Sequence, residues 1–127
     1  MTQNGLVIFS KNIKTVAAFY QHVLNADITE SAKGHVVLNA GEIEIVIHGI
    51  PKQVAANIDI ETPPQLRGAA VFKPAFIVDS LEDVRAACEQ YGGGIRPLEK
   101  AWQIRDCTVV DGWDPEGNII QFKQAQS

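Results

Sequence analysis

The stretch DGWDPEGNIIQF, residues 111–122, joins a dense turn to an alternating strand. Asp114 can accept hydrogen bonds from backbone amides ahead of it, Pro115 fixes φ at the first turn position, and Gly117 accepts a positive φ. Residues 119–123 then alternate, so we expect the turn to set the register of this strand. A good hairpin turn explains the pattern better than a catalytic role for its carboxylates.

Upstream of this stretch, the chain shows one order of elements twice. In the first half, GLVIFS at 5–10 predicts a strand, and Asn12 can cap the amphipathic helix IKTVAAFYQHVL at 13–24. Three strands are predicted after it: DITES, HVVLNA and EIEIVIHG. The order is strand, helix and three strands.

The second half repeats that order. VFKPAFIVDS at 71–80 predicts a strand, and Ser80 can open the helix LEDVRAACEQ, which the glycines at 92–94 would end. The strands predicted to follow are IRPL at 95–98, DCTVVDG at 106–112 and NIIQFKQ at 118–124. Each half is too small for a core of its own, so the halves must pack together. We expect one domain over 1–127, with modules at about 5–49 and 70–124 and a linker at 50–69.

Composition limits the partners. The 127 residues carry a net charge of −4, which offers no general attraction to nucleic acid or anionic lipid. The sequence has no signal peptide pattern and no apolar run of the roughly 20 residues that a membrane helix needs. Cys88 and Cys107 form no CxxC motif and are expected to be reduced thiols. These features predict a cytoplasmic protein without nucleic-acid or membrane partners.

The paired modules, the Phe19-Tyr20 pair late in the first helix and the DPEGN turn resemble the vicinal oxygen chelate superfamily. That group includes glyoxalase I, extradiol dioxygenases, fosfomycin-resistance enzymes and bleomycin-resistance proteins. The resemblance runs from about Gly5 to Lys123 and implies an α+β fold. In that fold, two βαβββ modules form curved mixed sheets with helices on the outer face. It predicts architecture better than activity, because the fold hosts many chemistries.

The resemblance implies the sequence positions at which metal-binding members of the superfamily carry their metal-coordinating side chains. Three of these positions match Gly5, Lys73 and Gln121 here. Glycine has no donor, a lysine ammonium repels a divalent ion, and an amide oxygen is a weak neutral ligand. Glu44 is the candidate for a fourth position, where glyoxalase I uses a glutamate. We therefore expect no metal and no cofactor, the alternative being an atypical metal site on Glu44 and His48.

Strand alternation predicts which side chains line the cup between the modules. Glu44 and His48 share one face of their strand, and Val7 and Phe9 share a face with Gly5. The same alternation sends a larger set to the helix-covered core: Leu6, Ile8, Ile43, Ile45, Ile47, Phe76, Val78, Ile120 and Phe122. The predicted ligand-binding residues are Phe9, Glu44, His48, Lys73, Trp102 and Gln121, with Lys73 opposite an acidic or carbonyl group of the ligand. Solvated rim positions are the competing interpretation for Glu44 and His48, and the role of Trp113 is open.

The functional expectation is a metal-independent homodimer that binds a small organic molecule in the cup, as bleomycin-resistance proteins do. One alternative is a lyase, isomerase or dioxygenase of the glyoxalase type. Another is a partner-binding or scaffold protein whose concave face is filled by packed side chains and binds no small molecule. A dimer is expected because each half has open sheet edges, which proteins usually cover. The sequence leaves open whether modules pair within or between chains.

Overall fold

The computed structural model describes residues 3–68 and 70–126, so residues 1, 2, 127 and residue 69 of the predicted linker lie outside it. The first module has five elements. They are β1 (Asn4–Ser10), α1 (Ile13–Val23), β2 (Asp27–Ser31), β3 (His35–Ala40) and β4 (Ile43–Gly49). The connection to the second module contains one short helix, α2 (Lys52–Ala55).

The second module repeats the order with one additional short strand. Its elements are β5 (Ala75–Val78), α3 (Leu81–Gln90), β6 (Gly94–Ile95), β7 (Trp102–Ile104), β8 (Cys107–Trp113) and β9 (Ile119–Ala125). Within the described ranges, no helix has the length and apolar character needed to cross a membrane. The predicted α+β class and the paired modules are confirmed.

Each module forms its own mixed sheet. The first sheet has the order β1-β4-β3-β2, in which β1 runs parallel to β4 and the other pairs are antiparallel. The second has the order β5-β9-β8-β6, with β5 parallel to β9 and β7 added beside β8. In each sheet the strand before the helix is therefore an edge strand: β1 in one and β5 in the other.

The helices α1 and α3 begin where the sequence predicts and end within one residue of the predicted position, whereas α2 was not predicted. The Asn12 side chain accepts the N–H of Thr15 at 3.1 Å, and the Ser80 hydroxyl accepts the N–H of Asp83 at 3.2 Å. These caps satisfy backbone donors that the first helical turn leaves free. Gly92 follows α3 with φ of +88°, the left-handed conformation that glycine adopts at low cost.

Two predicted strands are wrong in extent. The strand expected at 95–98 stops at Ile95, because Pro97 has no N–H to donate and a short 3₁₀ turn follows it. The strand expected at 71–80 is limited to Ala75–Val78, since Pro74 likewise cannot continue the ladder. The sequence analysis also missed β7, which pairs with β8 through a tight turn at Arg105, where φ is +50°.

One core is shared by both modules. Ile45, Ile47 and Phe122 are completely buried, and a side chain of α1 meets β5 where the Tyr20 and Phe76 rings lie 6.2 Å apart. The predicted inward-facing set packs in or against this core. The opposite face of each sheet, called its open face here, bears the side chains that the alternation turns away from the core.

Candidate functional site

The Asp114 carboxylate is fully buried and is satisfied within the chain. It accepts the N–H groups of Glu116 and Asn118 at 2.9 and 3.1 Å, the Asn118 amide at 2.9 Å and the Tyr20 hydroxyl at 2.8 Å. Gly117 has φ of +85°, as the turn requires. Burial, followed by the charge of Asp114, raises the pKa of Tyr20 well above 10.0. Asp114 therefore fastens the turn to α1, which confirms the structural interpretation of the motif.

Glu116 is also buried and binds the start of α1. Its two carboxylate oxygens accept the N–H groups of Lys11 and Asn12 at 2.9 and 2.7 Å. A negative charge at this end of a helix is favoured by the helix dipole. The sequence analysis missed this contact, because nothing local in the sequence joins positions so far apart. Neither carboxylate of the turn is free to act on a substrate.

On the open face of the first sheet, Phe9 and His48 lie together. They are direct neighbours in the β1–β4 register, and their rings meet edge to face at 5.6 Å. Nδ1 of His48 lies 2.9 Å from the carbonyl oxygen of Gly49. Glu44 lies four residues earlier on the same strand, beside Gly5. Phe9, Glu44 and His48 are called the first-sheet group below.

On the open face of the second sheet, Lys73 has a partner that the sequence analysis did not identify. Its ammonium nitrogen lies 3.1 Å from Oδ1 and 3.2 Å from Oδ2 of Asp111, and 5.9 Å from the centre of the Trp102 ring. Gln121 is directly opposite Asp111 in the β8–β9 register. Lys73, Trp102, Asp111 and Gln121 are called the second-sheet cluster below. Counting the hairpin backwards from the DPEGN turn would have paired Asp111 with Gln121.

The six predicted ligand-binding residues are thus divided between two sheets. No hydrogen bond or aromatic contact among the described residues joins the first-sheet group to the second-sheet cluster. A cavity of about 460 Å³ beside β1 is lined by Phe9 and Phe72 but by none of the other five predicted residues. The described lining of a larger cavity, about 890 Å³ between α1, α3 and β5, contains none of the six.

The position of Gly5 leaves little room for a side chain. A Cβ atom built there would lie 2.9 Å from the carbonyl oxygen of Glu44, which is backbone and cannot swing away. Among the residues that the structure describes, no three His, Cys, Asp or Glu side chains gather closely enough to hold a metal ion. A histidine at position 5 would therefore require the β1–β4 pair to shift.

Known proteins were compared with this chain by sequence and by fold. A family model described as "Glyoxalase/Bleomycin resistance protein/Dioxygenase superfamily" matches residues 2–122. No curated protein matches the sequence.

Solved structures share the fold at low identity. A glyoxalase/bleomycin resistance protein/dioxygenase family enzyme from Burkholderia phytofirmans PsJN is 18% identical with a TM-score of 0.69, over 97% of this chain and 98% of that one. The bleomycin resistance determinant encoded on transposon Tn5 is 19% identical with a TM-score of 0.58, over 100% of both chains. The fosfomycin resistance protein FosX from Mesorhizobium loti is 11% identical with a TM-score of 0.65, over 99% and 92%. At these identities the likeness establishes the fold alone.

Proposed function

Because this chain belongs to the glyoxalase/bleomycin resistance protein/dioxygenase superfamily, we propose that it binds a small organic molecule on the open faces of its sheets. The observation that carries the proposal is the exposure of large apolar side chains there. Phe9 is 59% exposed and Ile77 is 76% exposed, and Val7 and Trp102 are also exposed. Exposed apolar patches bordered by a few polar groups are typical of ligand sites.

The binding is proposed to need no resident metal. The support lies in what occupies the ligand positions of the superfamily. At the first ligand position, Gly5 has no side chain to donate, and the backbone oxygen of Glu44 blocks the space that a side chain would need. At the second, Lys73 carries an ammonium group, which repels a metal ion. Gln121 supplies only a neutral amide, a weak ligand beside a carboxylate. None of the three positions offers the anionic or imidazole donor that a divalent ion prefers, whereas an ammonium and an amide can both hydrogen-bond to organic groups.

The placement of Glu44 and His48 gives the enzyme alternative no support. Four residues along a strand correspond to about 13 Å, so both side chains would have to lean toward each other to share one ion. His48 instead packs against Phe9. Its neighbour across the first sheet, His35, is already paired with Glu30. Pure binding therefore stands as the proposed activity.

We further propose that the protein is a cytoplasmic homodimer. Val71 and Phe72, just before β5, are each 86% exposed, which is costly for side chains of this size in water. The edge strands β1 and β5 each pair on one side only within the described sheets. A second copy of the chain would cover these features, and the free thiols of Cys88 and Cys107 suit a reducing compartment.

The test is a nuclear magnetic resonance titration of the full chain with a panel of small planar organic molecules. We expect shift changes to concentrate on β1, β4, β5 and β9. The variants Phe9→Ser and Trp102→Ala should weaken the binding of those molecules. Val54→Ser, an exposed apolar position on α2, serves as the matched control. Shift changes confined to the helices, or their absence for the whole panel, would refute the proposal.

A further inference from the structure

We infer that the second-sheet cluster recognises a planar, uncharged ligand group that presents a carbonyl acceptor beside an N–H donor, with a primary carboxamide as the simplest case. The inference rests on the proposed function and names the chemistry of one part of its site. Of the two ligand groups that the sequence analysis placed opposite Lys73, acidic or carbonyl, it keeps the carbonyl and excludes the acidic one.

The charge of Lys73 is already compensated inside the chain. Both oxygens of Asp111 lie within 3.2 Å of its ammonium nitrogen, and the two side chains are 41% and 28% exposed. A ligand carboxylate would have to share the ammonium with Asp111 and approach that negative charge. A cationic ligand group would meet the ammonium itself. Both charged groups would lose hydration without full compensation, whereas an uncharged polar group loses less.

Asp111 forms an ion pair with Lys73 and is not available to bind a ligand. Its Oδ1 is shielded from solvent and receives no well-directed hydrogen bond among the described residues. A shielded, poorly satisfied carboxylate is costly, and the ammonium 3.1 Å away is the group that offsets the cost. Displacing Lys73 toward a ligand anion would remove that compensation. The lysine is therefore held in place, with N–H groups left to donate outward.

Gln121 supplies the complementary acceptor. It lies opposite Asp111 in the register of β8 and β9, and beside Ala75 of β5. Its half-buried side-chain amide has no hydrogen-bond partner in the described part of the chain. An amide offers both a donor and an acceptor. A ligand carboxamide can thus direct its carbonyl oxygen to Lys73 and its N–H to the oxygen of Gln121.

Trp102 gives the cluster its preference for flat groups. Its indole is 41% exposed, and the ammonium of Lys73 lies 5.9 Å from the ring centre. Ile77 lies on the same open face as Gln121 and adds an exposed apolar side chain that does not enclose the site. An aromatic ring that carries the carboxamide can stack on the indole while its polar edge reaches Lys73 and Gln121.

Three isosteric compounds test the inference: benzamide, benzoate and benzamidine. Each is titrated into the ¹⁵N-labelled full chain, and the indole N–H of Trp102 and the side-chain amide of Gln121 are followed. We expect benzamide to bind at least about fivefold tighter than either charged analogue, the ratio that one net hydrogen bond supplies. Tighter binding of benzoate or benzamidine to the wild type would overturn the inference.

Charge variants provide the second arm of the experiment. Asp111→Asn frees the ammonium and should move the preference to benzoate, whereas Lys73→Met leaves the carboxylate alone and should move it to benzamidine. Asp106→Asn, in the exposed turn between β7 and β8, removes one negative charge as Asp111→Asn does and should keep the wild-type order. An unchanged order in both Asp111→Asn and Lys73→Met would contradict the inference.

The outcomes separate this inference from the proposed function. If other molecules of the panel bind the open faces while none of the three compounds perturbs Trp102 or Gln121, the inference fails and the proposed function stands. If no molecule perturbs either open face, both fail.

Discussion

Tyr20 shows how one side chain can secure a buried charge. Its hydroxyl donates to Oδ2 of Asp114, and the other described groups that donate to this carboxylate belong to the turn itself. Tyr20 is thus the partner that connects the turn to α1. Since both groups are fully buried, water cannot replace the bond when it is lost.

Tyr20→Phe should therefore lower the free energy of unfolding by about 1.5–3 kcal/mol, the range for a hydrogen bond to a charged group. Urea unfolding followed by circular dichroism measures the change. Tyr91→Phe is the matched control, because Tyr91 is half-buried with its ring stacked on His22, and it should cost much less. Equal losses in the two variants would show that the buried hydroxyl contributes nothing special.

Cys88 and Tyr20 together predict how stability depends on alkaline pH. Burial raises the pKa of the Cys88 thiol from 9.0 to about 12, and the charge of Glu89 adds to the shift. Burial and the charge of Asp114 raise the pKa of Tyr20 well above 10.0. The unfolded chain releases both protons at ordinary pKa values while the folded chain retains them. Stability is therefore full below about pH 9 and falls as the pH rises toward 12.

We expect the urea midpoint of the wild type to decline over that pH interval. Cys88→Ala should have a lower midpoint at neutral pH but a shallower decline, because one of the two protons no longer distinguishes the states. The slope against pH, rather than the absolute stability, is the quantity to compare. A variant slope as steep as that of the wild type would count against a buried, protonated thiol.

At the scale of elements, Glu116 links the β8–β9 turn to Lys11 and Asn12, the two residues that lead into α1. Glu116→Gln keeps the size of the side chain but turns one acceptor into a donor that faces a backbone N–H. We expect a loss of about 1.5–3 kcal/mol in the free energy of unfolding, since a charged hydrogen bond is removed and a donor is left unpaired. Glu99→Gln, in the exposed 3₁₀ turn, should change stability by less than about 0.5 kcal/mol.

The elements that were predicted well are those whose signals are local. Asn12 and Ser80 mark helix starts by chemistry that needs only the next few residues, and strict alternation set the register of β4 and β9. The short strands β6 and β7 were misjudged, because two or three residues carry too little periodicity. Their pairing depends on β8, which lies later in the chain.

The candidate site shows the same division. Alternation correctly placed Phe9, Glu44 and Gln121 on faces turned away from the core. It could not reveal that Lys73 is paired with Asp111, since that contact depends on β5 and β8 lying on either side of β9 in the folded sheet. The contact compensates the positive charge that the sequence analysis expected Lys73 to offer to a ligand. Ion pairs between distant strands are properties of the fold rather than of any sequence window.

At the scale of the molecule, exposed apolar surface predicts self-association. We expect analytical ultracentrifugation at micromolar concentration to give a dimer mass. Phe72→Ser should raise the dimer dissociation constant at least about tenfold, because an 86% exposed phenylalanine gains most by being covered. Val54→Ser is the control and should leave the constant unchanged. A monomer at all accessible concentrations would contradict the proposed dimer.

The purified protein is predicted to carry no stoichiometric metal. We expect elemental analysis to find far less than one zinc, nickel, iron or manganese per chain, because Gly5, Lys73 and Gln121 do not form a ligand set. Gln121→Glu should not change this result, even after incubation with each metal. One added carboxylate still faces the ammonium of Lys73. A side chain at position 5 would also displace the Glu44 carbonyl oxygen, which lies only 2.9 Å from the place of its Cβ. About one metal ion per chain in the wild type would contradict this prediction and the proposed metal-independent binding.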